Sequence, residues 1–88
     1  MEHTDVARTV KEAIIREASF DMNAAELDEL SRFGEDIRVD SITFIRIVIS
    51  VEEELDVETP DDALMQTQFK TVADLIEFFV GVVEEQHT

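Results

Sequence analysis

The chain has 88 residues, no cysteine, tryptophan or tyrosine, and 22 Asp and Glu against 7 Lys and Arg, a formal charge of −15. One domain over residues 1–88 is the expectation at that length, and its core must come from aliphatic side chains, Met and six Phe. A disulfide framework and a thiolate metal site are excluded, and nucleic acid and anionic membrane are poor partners because both need cationic neutralisation.

Two glycines and one proline argue for helices over a turn-dense β-fold. Apolar runs such as Ile47-Val48-Ile49 are far too short for a membrane span, and no basic leader with an apolar core opens the chain. A cytoplasmic protein is expected. Its charge suits a basic protein surface as partner, an attraction that weakens with salt, and it also serves plain solubility.

Residues 5–18 place Val6, Val10, Ile14 and Ala18 four apart, with Ile15 alongside and Lys11 and Arg16 off the stripe. This predicts a first helix. From 19 to 39 the pattern loosens, and Phe20, Met22, Leu27, Leu30, Phe33 and Ile37 hold no steady period. The stretch reads as a long loop pinned to the core by those side chains, with a short helical turn that Asn23 and Glu26 could cap. Asp40 and Ser41 are both good N-cap residues and open a second helix through Leu55. Pro60 suits the first turn of a short third helix at about 61–66. Thr71 followed by Asp74 reads as a capping box for a fourth, through about residue 85. Its core stripe is Val72, Leu75, Ile76, Phe79 and Val83, and Gly81 weakens its interior. The expected fold is all-α: a four-helix bundle of three longer helices and a short third one, with a long loop between the first two.

The second helix has two apolar arcs. On a wheel of about 100° per residue from Ile42, Phe44, Ile47, Val48, Val51 and Leu55 fall between about 140° and 240°. Ile42, Ile45 and Ile49 form a separate stripe between about 300° and 360°, bordered by Arg46 and Glu53 on one side and Glu52 on the other. A small domain rarely buries both arcs. Either the preceding loop covers the second stripe, or the stripe is a docking strip starting one residue after Ser41. Residues 52–62 add seven acids (Glu52, Glu53, Glu54, Asp56, Glu58, Asp61, Asp62) and no base, a run that by itself is only a solvated face.

The stretch Asp36-Ile37-Arg38-Val39-Asp40-Ser41-Ile42 resembles the Asp-Leu-Gly-x-Asp-Ser-Leu signature of acyl and peptidyl carrier proteins. The similarity continues through Val48, Val51, the Glu52-Glu53-Glu54 run, Leu55 and Pro60, and Phe69-Lys70-Thr71-Val72 looks like the family's entry to its last helix. The resemblance implies a non-catalytic, free-standing carrier, with 4′-phosphopantetheine on Ser41 placed there by a phosphopantetheinyl transferase. The arm would hold an acyl or aminoacyl thioester delivered by a ligase or acyltransferase and consumed by a downstream synthase. It also implies that Asp40 helps orient the transferase, that Ile42, Ile45 and Ile49 contact partners, and that Glu52 and Glu53 face basic partner surfaces. A monomer is expected. A helix N-terminus suits such an arm, since its dipole favours the phosphodiester charge. The plain alternative for Ser41 is a capping serine, and for Asp40 a capping aspartate.

Two residues depart from the family pattern. Arg38 stands where glycine is usual, and Arg46 where fatty-acid-type carriers commonly have an acid. A reversed charge at Arg46 could select a dedicated partner, or the arginine could be solvated and paired with Glu53 or Ser50. Ile42 in place of leucine resembles modular polyketide and nonribosomal peptide carriers. Together these lean toward polyketide, antibiotic or other specialised-metabolite biosynthesis.

An enzyme is not expected. His3 and His87 lie at opposite ends, and no acidic pair or Ser-His-Asp set is singled out. No Asp-x-Asp-x-Asp-Gly calcium loop is present and no metal ligands are proposed. The rival reading is an acidic helical adaptor that binds a basic partner without a cofactor. Because the chain repels itself, moderate salt should raise the melting temperature of the isolated protein, and a fall on adding salt would contradict this.

Overall fold

The structure, a computed structural model, describes residues 3–18, 26–59 and 69–87. Within them lie three helices: α1 (His3–Ala18), α2 (Ser41–Leu55) and α3 (Val72–His87). The short helix expected at about 61–66 and most of the turn at 23–26 lie outside the described residues, so the described helices number three rather than four. No strand forms among the described residues, only isolated bridges between Arg32 and Thr71 and between Phe33 and Ile37. The all-α class stands.

Each helix is placed by the stripe that its sequence carries. In α1, Val6, Val10 and Ile14 are buried as expected, joined by Ala13, while Ala18 and Ile15 pack at the margin. In α2, Phe44, Ile47, Val48, Val51 and Leu55 are all buried. In α3, Val72, Leu75, Ile76, Phe79 and Val83 are buried, and Val82 joins them. These faces meet in one core cluster, with α1 packed against both other helices. Burying each large aliphatic or aromatic side chain stabilises by about 1.5–3 kcal/mol before ordering entropy is subtracted.

Aromatic rings stitch the loops into that core. Phe33 lies edge-on to Phe44 at 5.5 Å, Phe44 contacts Phe69 at 5.7 Å, and Phe69 meets Phe78 at 5.3 Å. Phe33 and Phe69 belong to the segments before α2 and α3, so the chain of rings fixes where each helix is entered. Leu27 and Ile37 also pin the long loop, but Leu30 does not: it is 74% exposed.

The helix ends carry their own stops and starts. At the C-terminal end of α2, Asp56 adopts a left-handed conformation (φ 54°, ψ 52°), and its N–H and that of Val57 both donate to the Glu52 carbonyl. At the start of α3 the capping box forms as read: the Asp74 N–H donates to the Thr71 hydroxyl at 3.2 Å, and the Thr71 N–H to the Asp74 carboxylate at 3.1 Å. Thr71→Ala should therefore lower unfolding free energy by about 1 kcal/mol in denaturant titration, whereas Glu77→Ala on the exposed face should stay within about 0.5 kcal/mol. Equal effects from the two would remove the cap assignment.

Candidate functional site

The start of α2 divides two roles between neighbours. Asp40 is the N-cap: its backbone is extended (φ −86°, ψ 176°), and its carboxylate accepts the Thr43 N–H at 2.7 Å. Its carbonyl takes the first helical bond, from the Phe44 N–H at 2.9 Å. Ser41 is therefore released from capping. It is the first residue of α2, it is exposed, and its hydroxyl has no hydrogen-bond partner among the described residues. No acid occupies the first turn, so the positive end of the helix dipole is offset only by the cap.

The second apolar arc is open. Ile42 is 64% exposed, Ile45 39% and Ile49 45%, so the long loop does not cover them. Arg46 and Glu53 border the strip and are exposed. Glu52 is different: it is half-buried, and its carboxylate accepts the Thr59 N–H at 2.9 Å, fastening the segment that leaves α2. Of the two expected docking acids, Glu53 faces outward and Glu52 also holds the chain. Arg46 forms neither of the pairings considered for it. The Ser50 hydroxyl instead receives a hydrogen bond from Arg16 of α1.

The cap is electrostatically reinforced. The Thr43 N–H holds the Asp40 carboxyl below the usual carboxylate range, with a smaller contribution from the charge of Arg46. Upstream, the Arg32 N–H and guanidinium both donate to the Asp36 carboxylate, at 2.9 and 3.2 Å, and likewise hold its pKa down. Gly34 sits inside this turn at φ +89°, a conformation that side chains strain to adopt. The turn seats residues 37–40, in which Ile37 and Val39 point inward and Arg38 and Asp40 outward. Sequence reasoning assigned no role to the Arg32–Asp36 pair. Its signal was the i, i+4 spacing of opposite charges around a glycine.

A family model described as "Phosphopantetheine attachment site" matches residues 8–79. An "Acyl carrier protein" of Sulfurovum sp. (strain NBC37-1) is 34% identical over 73 residues, 83% of this chain and 92% of that protein. Another of the same description, from Helicobacter hepaticus, is 32% identical over 74 residues, 84% and 92% of the two chains. A third, from Tropheryma whipplei (strain Twist), is 29% identical over 76 residues, covering 86% and 88%.

A carboxyl whose pKa is depressed on folding stabilises the fold above its unfolded pKa, and that contribution is lost as pH falls through the folded value. The side-chain carboxyls of Asp36 and Asp40 should thus be among the last to protonate in an NMR titration, with midpoints below the usual carboxylate range. Asp40→Asn should flatten the acid limb of the stability curve. An Asp40 midpoint at or above the usual range would contradict the cap.

Proposed function

The chain belongs to the acyl carrier protein family, non-catalytic carriers of a covalent 4′-phosphopantetheine, and on that premise we propose that Ser41 is the attachment residue. The observation that carries this is the exposed hydroxyl at the start of α2, without a hydrogen-bond partner among the described residues, beside an aspartate that does the capping in its place. The residues fit the group: the helix N-terminus favours an anionic phosphodiester, and Ile42 offers an apolar contact next to it. The arm supplies a thiol on which an acyl or aminoacyl group rides as a thioester. Asp40 keeps the hydroxyl free by taking the cap itself, and it orients the transferase.

Ile42, Ile45 and Ile49 form the strip on which the phosphopantetheinyl transferase, the loading ligase or acyltransferase and the downstream synthase dock in turn. Arg46 and Glu53 border it, and Glu52 adds charge while bracing the chain. The carrier is one domain over residues 1–88, monomeric, and works in the cytoplasm without nucleic acid or membrane. No described helix is long and apolar enough to cross a bilayer. The departure at Arg46, with Ile42 in place of leucine, supports polyketide or other specialised-metabolite biosynthesis, antibiotic biosynthesis included, over bulk fatty-acid synthesis.

Incubation with a broad-specificity phosphopantetheinyl transferase and coenzyme A should add one phosphopantetheine to the intact mass, and Ser41→Ala should abolish the increment. An increment that survives Ser41→Ala would reject the assignment. Ile49→Lys should leave the circular dichroism unchanged and lower kcat/KM for loading by about tenfold, equivalent to about 1.4 kcal/mol. Unchanged kinetics would remove the docking strip.

A further inference from the structure

In a chain with 22 acids and 7 bases, every cation has carboxylates in excess to choose from. Arg8 pairs with Asp5 and Glu12, Lys11 with Glu29, Arg16 with Glu17, and Arg32 with Glu35 and Asp36. Arg38, Lys70 and Arg46 make no ion pair among the described residues, and of these three Arg46 alone sits within a helix, where pairs three or four residues apart form readily. The reason is local. Those four neighbouring positions hold Ile42, Thr43, Ile49 and Ser50, and the Ser50 hydroxyl is engaged by Arg16. Its charge reaches the Asp40 carboxylate without forming a pair.

Arg46 also lines an open groove between the end of α1, where Arg16 is paired with Glu17, and the flank of α2, where Ile49, Ser50, Glu53 and Glu54 face it. The border of the apolar strip therefore changes sign along its length. It is positive at Arg46, about 8 Å along the axis from Ser41, and negative at Glu53, about 10 Å further on. The Debye length is itself about 10 Å at 0.1 M salt, so a docked partner senses the two ends separately. At longer range only the −15 net charge is felt, and it steers basic surfaces toward the carrier.

We propose that Arg46 is a partner-selecting residue: the enzyme served by this carrier presents a basic surface interrupted by one acidic side chain, which enters the groove beside Ile49 and pairs with Arg46 while basic residues meet Glu53 and Glu54. This deepens the docking assignment and rests on the reading of Ser41 as the attachment point. A wholly basic surface would bring two cations together at Arg46, a repulsion that favours the dedicated partner over a general one.

The test is a charge swap against a defined probe, a 3-oxoacyl synthase of fatty-acid synthesis whose docking surface carries only Lys and Arg. Each of those residues is replaced singly by Glu. Parent and variants are assayed with acyl-loaded wild-type carrier and with Arg46→Glu, after intact mass has shown both carriers loaded and circular dichroism has shown both folded. Arg46→Glu should outperform the wild type with the parent synthase. One Lys or Arg replacement should invert that order, each step changing kcat/KM by at least about threefold, the upper range of a rim ion pair. If Arg46→Glu does not outperform the wild type with the parent synthase, or if no replacement inverts that order, the proposal is overturned. Loading that persists in Ser41→Ala is read at the mass step and sinks the attachment reading instead, so the two failures are distinguishable.

Discussion

The hydrogen bond from the Thr43 N–H to the Asp40 carboxylate determines where α2 begins, and the phase of everything on that helix is counted from there. Each residue adds about 100° of rotation. A helix entered at Ser41 turns Phe44, Ile47, Val48 and Val51 into the core and leaves Ile42, Ile45 and Ile49 facing solvent. Capping and burial thus agree on one register. Had the serine capped the helix, its oxygen would be spent on a backbone N–H and its backbone would be extended. With aspartate in that place, the hydroxyl one residue later is both positioned and unspent.

A cap is only as fixed as the segment that delivers it, and here that segment is irregular without being loose. The Phe33 N–H donates to the Lys70 carbonyl at 2.9 Å, while the Ser31 and Glu29 carbonyls accept the N–H groups of Val72 and Ala73 at 3.0 and 2.8 Å. The loop before α2 therefore satisfies donors at the start of α3 that a helix leaves orphaned. Downstream, the Gln86 side chain brackets Glu58, donating to its carbonyl and accepting from its N–H. That clamp ties the exit of α2 to the far end of α3. Both ends of α2 are held by α3 or its approach, and α1 supports its flank.

What was legible in the sequence was local. The core stripes of all three helices, the capping box at Thr71 and Asp74, and the separate arc of Ile42, Ile45 and Ile49 follow from periods of three to seven residues; whether the loop covers that arc did not, and the structure leaves it open. The start of α2, where attachment is proposed, was legible for the same reason, because Asp40, Ser41 and Ile42 are contiguous. What escaped were partners remote in the chain. Arg16 and Ser50 are 34 residues apart, Glu58 and Gln86 are 28 apart, and nothing in a helical wheel pairs them. The same limit hid the second job of Glu52, whose bond to Thr59 crosses a helix end and a turn. Leu30 marks the opposite error: its apolarity suggested an anchor, yet it sits on the outer side of a turn.

The strip and the charge make most sense together. Three isoleucines exposed beside one another would favour contact between two copies of the chain, since apolar contact has no preference for a foreign partner. Approach of two copies, however, brings together two molecules of −15, which repel at long range. A basic protein surface of the kind proposed as partner would meet the same strip with net attraction. On the docking reading proposed above, the acidic excess acts as a filter: it leaves the apolar contact available to cationic partners and weakens it against copies of the chain.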